Sequence, residues 1–296
     1  MRKQARKNIV LTIAGIISML FSPSVFSAEK STPNKGDLVK IAWIGSSSVG
    51  ITSSRADELF SSAGFNTKSK RIGNFSISTI SKEMATKNKT TTESLEENLN
   101  AIRLNENKSD YLIVQVSGRI YNNKESIQHV DEIIDLVCRT AKDAGIIPII
   151  FEHWARDKHS SEMREFCIEA GKRNQVKVAF CGSSSTKVKG EKEKMYLYNK
   201  HTKDMHHPGP NGTYLWLCSI YSALTDKSPE NIKATTIKSS RQDYIQDEDL
   251  KSPKERTVKY DHEISQEDRE YLQKTAWEIH QKYSEQNEIN FEKQNK

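Results

Sequence analysis

The stretch KIAWIGSSSVGIT, residues 40–52, joins an apolar run to a turn rich in glycine and serine. Its first half places Ile41, Ala42, Trp43 and Ile44 in succession. That pattern predicts a strand buried on both faces, as in parallel sheets covered by helices. The second half admits two chemistries. Gly45 to Thr52 nearly spells the phosphate-binding pattern G-x-x-x-x-G-K-[ST], but Ile51 stands where the lysine is needed. No later strand ends in an aspartate placed for magnesium, since IIPIIFEHW offers only Glu152. The other chemistry is a strand that ends in glycine and presents Ser46, Ser47 or Ser48 at the carboxyl edge of a sheet, where open α/β folds bind ligands.

The flanking sequence extends the sheet. NTKSKRIG is a weaker strand; DYLIVQVSG, IIPIIFEHW and QVKVAFCG are apolar ones. Helical patterns lie between them: SSRADELFSSAG, TTTESLEENLNAIRL with Leu95, Leu99 and Ile102 on one face, KESIQHVDEIIDLVCRTAKDAG, and SEMREFCIEAGKRN. Five strands starting near residues 38, 66, 111, 146 and 175 predict a three-layer α/β/α sandwich around a five-stranded parallel sheet. Residues 226–264 are polar and without clear periodicity, a linker or surface excursion. A last helix starts at Ser265, with Asp268 placed as in a capping box, and residues 265–296 form this helix and a tail.

A serine hydroxyl needs a base and an acid that orients the base. Of eight histidines, those at 201–207 stand in a Gly/Pro-rich loop before an apolar helix. There DMHHPGPNG sets Asp204 three residues before His207. A metal reading of His201, His206 and His207 lacks the spacing of a helical ligand pair such as H-E-x-x-H, so no metal is expected.

The two blocks together, Gly-x-Ser after the first strand and Asp-x-x-His-Pro before the last core helix, resemble the SGNH/GDSL-type serine esterase and lipase superfamily over residues 38–225. The resemblance implies a flavodoxin-like SGNH hydrolase fold, a Ser47–His207–Asp204 triad, acyl transfer to serine and no cofactor. It also implies an oxyanion hole built from the Ser47 N–H, the Gly73 N–H in KRIGNFS and an asparagine side chain after the third strand. Two positions depart from the family pattern. Ser46 replaces the family's acid or amide before the nucleophile. In VQVSGRIYNN, Ile120 replaces the expected asparagine, leaving Asn122 or Asn123, or Gln115 or Arg119, as the third donor; Asn122 is the choice here. The rival reading is a non-catalytic SGNH-fold protein that binds a glycan or a protein partner. His153 and Trp154 follow the fourth strand at the catalytic edge, where they are expected to line the pocket, with simple packing as the alternative for Trp154.

The chain of 296 residues is 35% hydrophobic and 28% charged, a globular composition. Its formal charge of +6 is concentrated at the start, where Arg2, Lys3, Arg6 and Lys7 precede the uncharged residues 8–21 and then SPSVFSAEK. That order predicts a secretory signal peptide, residues 1–27, cleaved before Ala28 with Val25 and Ser27 at the −3 and −1 positions. An apolar run of 14 residues is shorter than the roughly 20 that span a bilayer. No membrane span is therefore expected after processing, and the location expected is periplasmic or secreted. Residues 28–37 are a polar leader. Loss of residues 1–27 leaves a formal charge of +2, which argues against a nucleic-acid partner. The expected partner is a small-molecule or carbohydrate ester. Cys138, Cys167, Cys181 and Cys218 lie in apolar contexts without C-x-x-C spacing; they are buried thiols or disulfides in one of three pairings.

Overall fold

In the computed structural model the apolar half of the opening stretch is the strand β1, Val39–Ile44. The structure describes residues 36–73, 89–117, 124–154, 159–198, 207–239, 242–245, 254–257 and 260–287. All of them belong to one unit, residues 32–296. The predicted signal peptide, residues 1–27, lies outside the described residues.

After β1 come α1 (Ser47–Ser62), β2 (Thr67–Gly73), α2 (Lys89–Leu104), β3 (Tyr111–Val116), α3 (Lys124–Asp143), β4 (Ile147–Glu152), α4 (Ser160–Asn174) and β5 (Lys177–Ala179). The strands form one parallel sheet in the order β2-β1-β3-β4-β5. This is the five-stranded α/β/α sandwich expected from the sequence. Because successive strand side chains point to opposite faces, one set of strand residues makes each core. Val39, Ile41, Trp43, Ile113 and Phe151 face Val49, Leu59 and Phe60 of α1. Ala42, Ile44, Leu112, Val114 and Ile150 face Leu95, Leu99 and Ile102 of α2 together with Val130, Ile134 and Val137 of α3. Gly64 and Gly145, which end α1 and α3, adopt φ of +76° and +73°, left-handed values that favour glycine.

Three features depart from the sequence reading. The helix α1 begins at Ser47, not near Ser53, so GSSSVG is a strand end followed at once by the first helical turn. A further helix, α5 (Cys181–Glu191), follows β5 directly. Its CGSSST start has no amphipathic pattern, because its hydroxyls turn back onto the helix. Ser184 Oγ donates to Phe180 O, Ser185 Oγ to Cys181 O and Thr186 Oγ1 to Gly182 O. Satisfied in this way, small polar residues can be buried against α6 (Pro210–Thr225), where Trp216 Nε1 donates to Ser185 Oγ at 3.0 Å.

The third departure is in residues 226–264. A 3₁₀ turn at Pro229–Asn231 leads to β6 (Thr236–Ser239), β7 (Gln242–Ile245), β8 (Lys254–Thr257) and β9 (Tyr260–Glu263). These pair antiparallel, β6 with β9 and β7 with β8. Ile232, Ile237 and Ile264 are buried in the same core as α6. Isolated isoleucines so far apart give no periodic signal.

The last helix, α7 (Gln266–Asn287), starts where expected: Ser265 Oγ accepts from Asp268 N at 3.1 Å. Its Leu272 and Ala276 join one core, and its Ile279 and Tyr283 the other. It packs against β5 and so covers that edge of the sheet. All four cysteines are buried free thiols. Burial pushes the Cys138 thiol up to about 12 and the other three well above their ordinary value, which keeps them protonated and unreactive.

Candidate active site

The chain leaves the sheet at the carboxyl end of β1, beside β3, where the strand order reverses direction. That is the place where open α/β sheets hold ligands. Gly45 makes the turn because nothing larger fits: a Cβ there would lie 2.4 Å from Val49 Cγ2 and 2.7 Å from Gln115 Cβ and Oε1.

The three serines then divide. Ser46 precedes the helix with extended backbone, and its carbonyl accepts from Val49 N and Gly50 N. Both its N–H and its Oγ–H donate to Gln115 Oε1 at 2.8 Å. Ser48 is buried, 3% exposed. Ser47 alone is exposed, and its Oγ lies 2.7 Å from His207 Nε2. As the first residue of α1, Ser47 also has an amide without an acceptor inside the helix.

His207 is delivered by the HPGPNG segment, whose residue types follow from its packing. Pro208 bridges to Tyr198, and Gly209 N donates to Leu197 O at 2.8 Å. Gly212 must lack a side chain, since a Cβ would lie 2.1 Å from Leu197 O. Pro210 starts α6 where its missing N–H costs nothing. Beneath this loop, Trp154 packs between Tyr198 and Trp216, each 4.3 Å away between centroids. His153 joins the cluster, with its Nδ1 2.9 Å from Trp154 O. Both His153 and Trp154 are buried, which for Trp154 is the packing alternative.

Gly73 ends β2 and pairs in register with Ile44, three residues before Ser47. Here β2 carries one extra residue: Trp43 pairs with Arg71 and Ile44 with Gly73, so Ile72 is bulged. Such bulges recur beside active sites, where they re-aim the chain. Asn98 of α2 presses against Gly73; a Cβ there would lie 1.7 Å from Asn98 Oδ1. Asp204 and Asn122, and the alternatives Asn123 and Arg119, lie outside the described residues. Gln115, another candidate third donor, turns its oxygen to Ser46 instead, while its buried Nε2 has no partner among the described residues.

Three side chains escaped the sequence reading in the places they occupy: Gln115 under Ser46, Asn98 against Gly73 and Arg71 beside Gly45. Each contact depends on strand register or helix packing, which no local motif encodes. Glu152, at the end of β4, is 1% exposed and accepts from Ser183 N and Oγ at 2.9 Å each. Burial pushes its carboxyl up to about 7 against these hydrogen bonds. Among the described residues no group of His, Cys, Asp and Glu is arranged to hold a metal ion.

The structure is similar to that of a DUF4886 family protein from Bacteroides uniformis ATCC 8492, with a TM-score of 0.53 and 14% identity, over 82% of this chain and 95% of that one. It is also similar to TesA, at a TM-score of 0.44 and 9% identity over 63% of this chain and 98% of that one. A mutant of Axe2, an acetyl-xylooligosaccharide esterase from a Geobacillus, matches at 0.47 and 11% identity over 66% of this chain and 96% of that one. At these identities the likeness is one of fold. The sequence matches no family model and no curated protein. What is shared is architecture: an α/β protein with a five-stranded parallel sheet in the order 2-1-3-4-5, flanked by helices.

Proposed function

We propose that the protein is a serine hydrolase that cleaves esters through an acyl-enzyme. The observation that carries this reading is the 2.7 Å contact between Ser47 Oγ and His207 Nε2. In the proposed reaction His207 takes the Ser47 proton as Oγ attacks the ester carbonyl, and gives it to the departing alcohol. Water then attacks the acyl-serine with His207 again as base, releasing the carboxylic acid and restoring the serine. Asp204, three residues upstream, is assigned to Nδ1, where it fixes the tautomer and stabilises the imidazolium. The Ser47 and Gly73 amides and Asn122 are assigned to the oxyanion, the group whose stabilisation is usually the largest single term. No cofactor takes part.

The N-terminal pattern of residues 1–27 supports export to the periplasm or medium. That location in turn favours a carbohydrate O-acetyl group over a long lipid acyl chain as substrate. The reading is tested by labelling the purified protein with a fluorophosphonate and mapping the adduct by mass spectrometry. A single adduct on Ser47, abolished by His207→Ala, is expected; a protein that takes no label, or takes it elsewhere, contradicts the reading.

A further inference from the structure

The opening motif contains a second glycine, Gly50, which the proposed chemistry does not use. It lies in the first turns of α1, where glycine is a poor helix former. Its place is explained by a neighbour: a Cβ on Gly50 would come within 2.9 Å of Arg71 Nη1. The guanidinium of Arg71, half-buried at the end of β2, passes through the space that Gly50 leaves. From there Nη2 donates to Gly45 O at 2.8 Å and Nε to Gly73 O at 3.2 Å. One side chain therefore links the residue that starts the serine turn to the glycine assigned to the oxyanion. It does so across the bulge at Ile72, where β1 and β2 lose regular pairing.

We propose that Arg71 is a positioning residue that fixes the spacing between the Ser47 turn and the Gly73 amide. The assignment rests on the hydrolase reading of the site. A planar fork with several fixed donors can hold two carbonyls at a set separation; an ammonium on a flexible stem is a point charge without that fork. The bulge calls for such a brace because its extra residue, Ile72, is left unpaired and the ladder is locally disrupted. Gly50 is then glycine because the brace crosses α1 at that position.

The test compares wild type, Arg71→Gln and Arg71→Lys. Each is labelled to completion with fluorophosphonate to count competent sites, and its turnover of p-nitrophenyl acetate is expressed per site. Expected is a kcat per site reduced ~10- to 100-fold in Arg71→Gln, with KM within about twofold, since misplacement by an ångström costs on this scale. Arg71→Lys should stay at least about fivefold below wild type, because its charge remains but its fork does not. Wild-type kcat per site in either variant overturns the assignment. Where Arg71→Gln does not fold, Gly50→Ala replaces it. That variant keeps the arginine but crowds Nη1, and is expected to melt at or above the wild-type temperature while kcat falls about threefold or more; an unreduced kcat there overturns the assignment equally. A wild type that takes no label overturns the hydrolase reading and this assignment with it. A labelled wild type with unaffected variants overturns this assignment alone.

Discussion

Ser47 Oγ and His207 Nε2 lie 2.7 Å apart although 160 residues separate them in the chain. The contact joins two pieces that are distant in the sequence. The strand β1 ends at a crowded glycine that starts a helix at once, and the His207 loop is pinned to Leu197 and Tyr198. The pair reflects the packing of α1 and α6 into the same core.

Gln115 is expected to matter more than Ser46. Replacing Gln115 by Leu leaves the Ser46 N–H and hydroxyl without their acceptor. Urea unfolding should show a loss of about 1 kcal/mol or more, since both donors are partly buried. Ser46→Ala removes only the hydroxyl, keeps the backbone bond and should cost about 1 kcal/mol or less. Equal losses in the two variants would contradict this division.

A methyl group at Gly73 has nowhere to go while Asn98 is present. Gly73→Ala should destabilise the fold by about 1–3 kcal/mol, as overpacking does, and should lower turnover by shifting the assigned oxyanion amide. Adding Asn98→Ala should recover part of the lost stability, because it clears the atom that lies 1.7 Å from the new Cβ. A double-mutant cycle in thermal melts measures the coupling; strict additivity would rule out this contact as the cause.

Glu152 makes stability depend on pH in a definite direction. Burial raises its carboxyl from the ordinary value near 4.5 to about 7 in the folded protein. Between those values the folded state holds a proton that the unfolded state has lost, so this residue's contribution falls as pH rises through the window. Below about 4.5 the penalty is absent. Above about 7 it is complete, at about 3 kcal/mol. Glu152→Gln keeps a donor and an acceptor for Ser183 and removes the charge. It should melt higher than wild type at pH 8 and nearly alike at pH 4.5. A constant difference across that range would contradict the account.

How much of this was legible beforehand depended on the kind of signal. The strands β1, β3 and β4 announce themselves as nearly continuous apolar runs because both of their faces are covered. The helix α3 does so through its amphipathic period. By contrast α5 is built from serines whose hydroxyls return to their own carbonyls, so burial there has no hydrophobic signature. Residues 226–264 contribute Ile232, Ile237 and Ile264 to the core, too sparse to form a pattern. In the site, Ser47 and His207 are legible because each stands in a short motif, Gly-x-Ser after a strand and Asp-x-x-His-Pro before an apolar helix. Arg71, Asn98 and Gln115 are not: their meaning arises from the bulge at Ile72, the docking of α2 and the register of β3 against β1.

The most direct test is steady-state hydrolysis of p-nitrophenyl acetate by the wild type, Ser47→Ala and His207→Ala, with folding of each verified by circular dichroism. The account predicts saturable turnover by the wild type and a fall in kcat of about a thousandfold or more in both variants, as expected when one member of a nucleophile–base pair is removed. Turnover that is equal in all three proteins would contradict it.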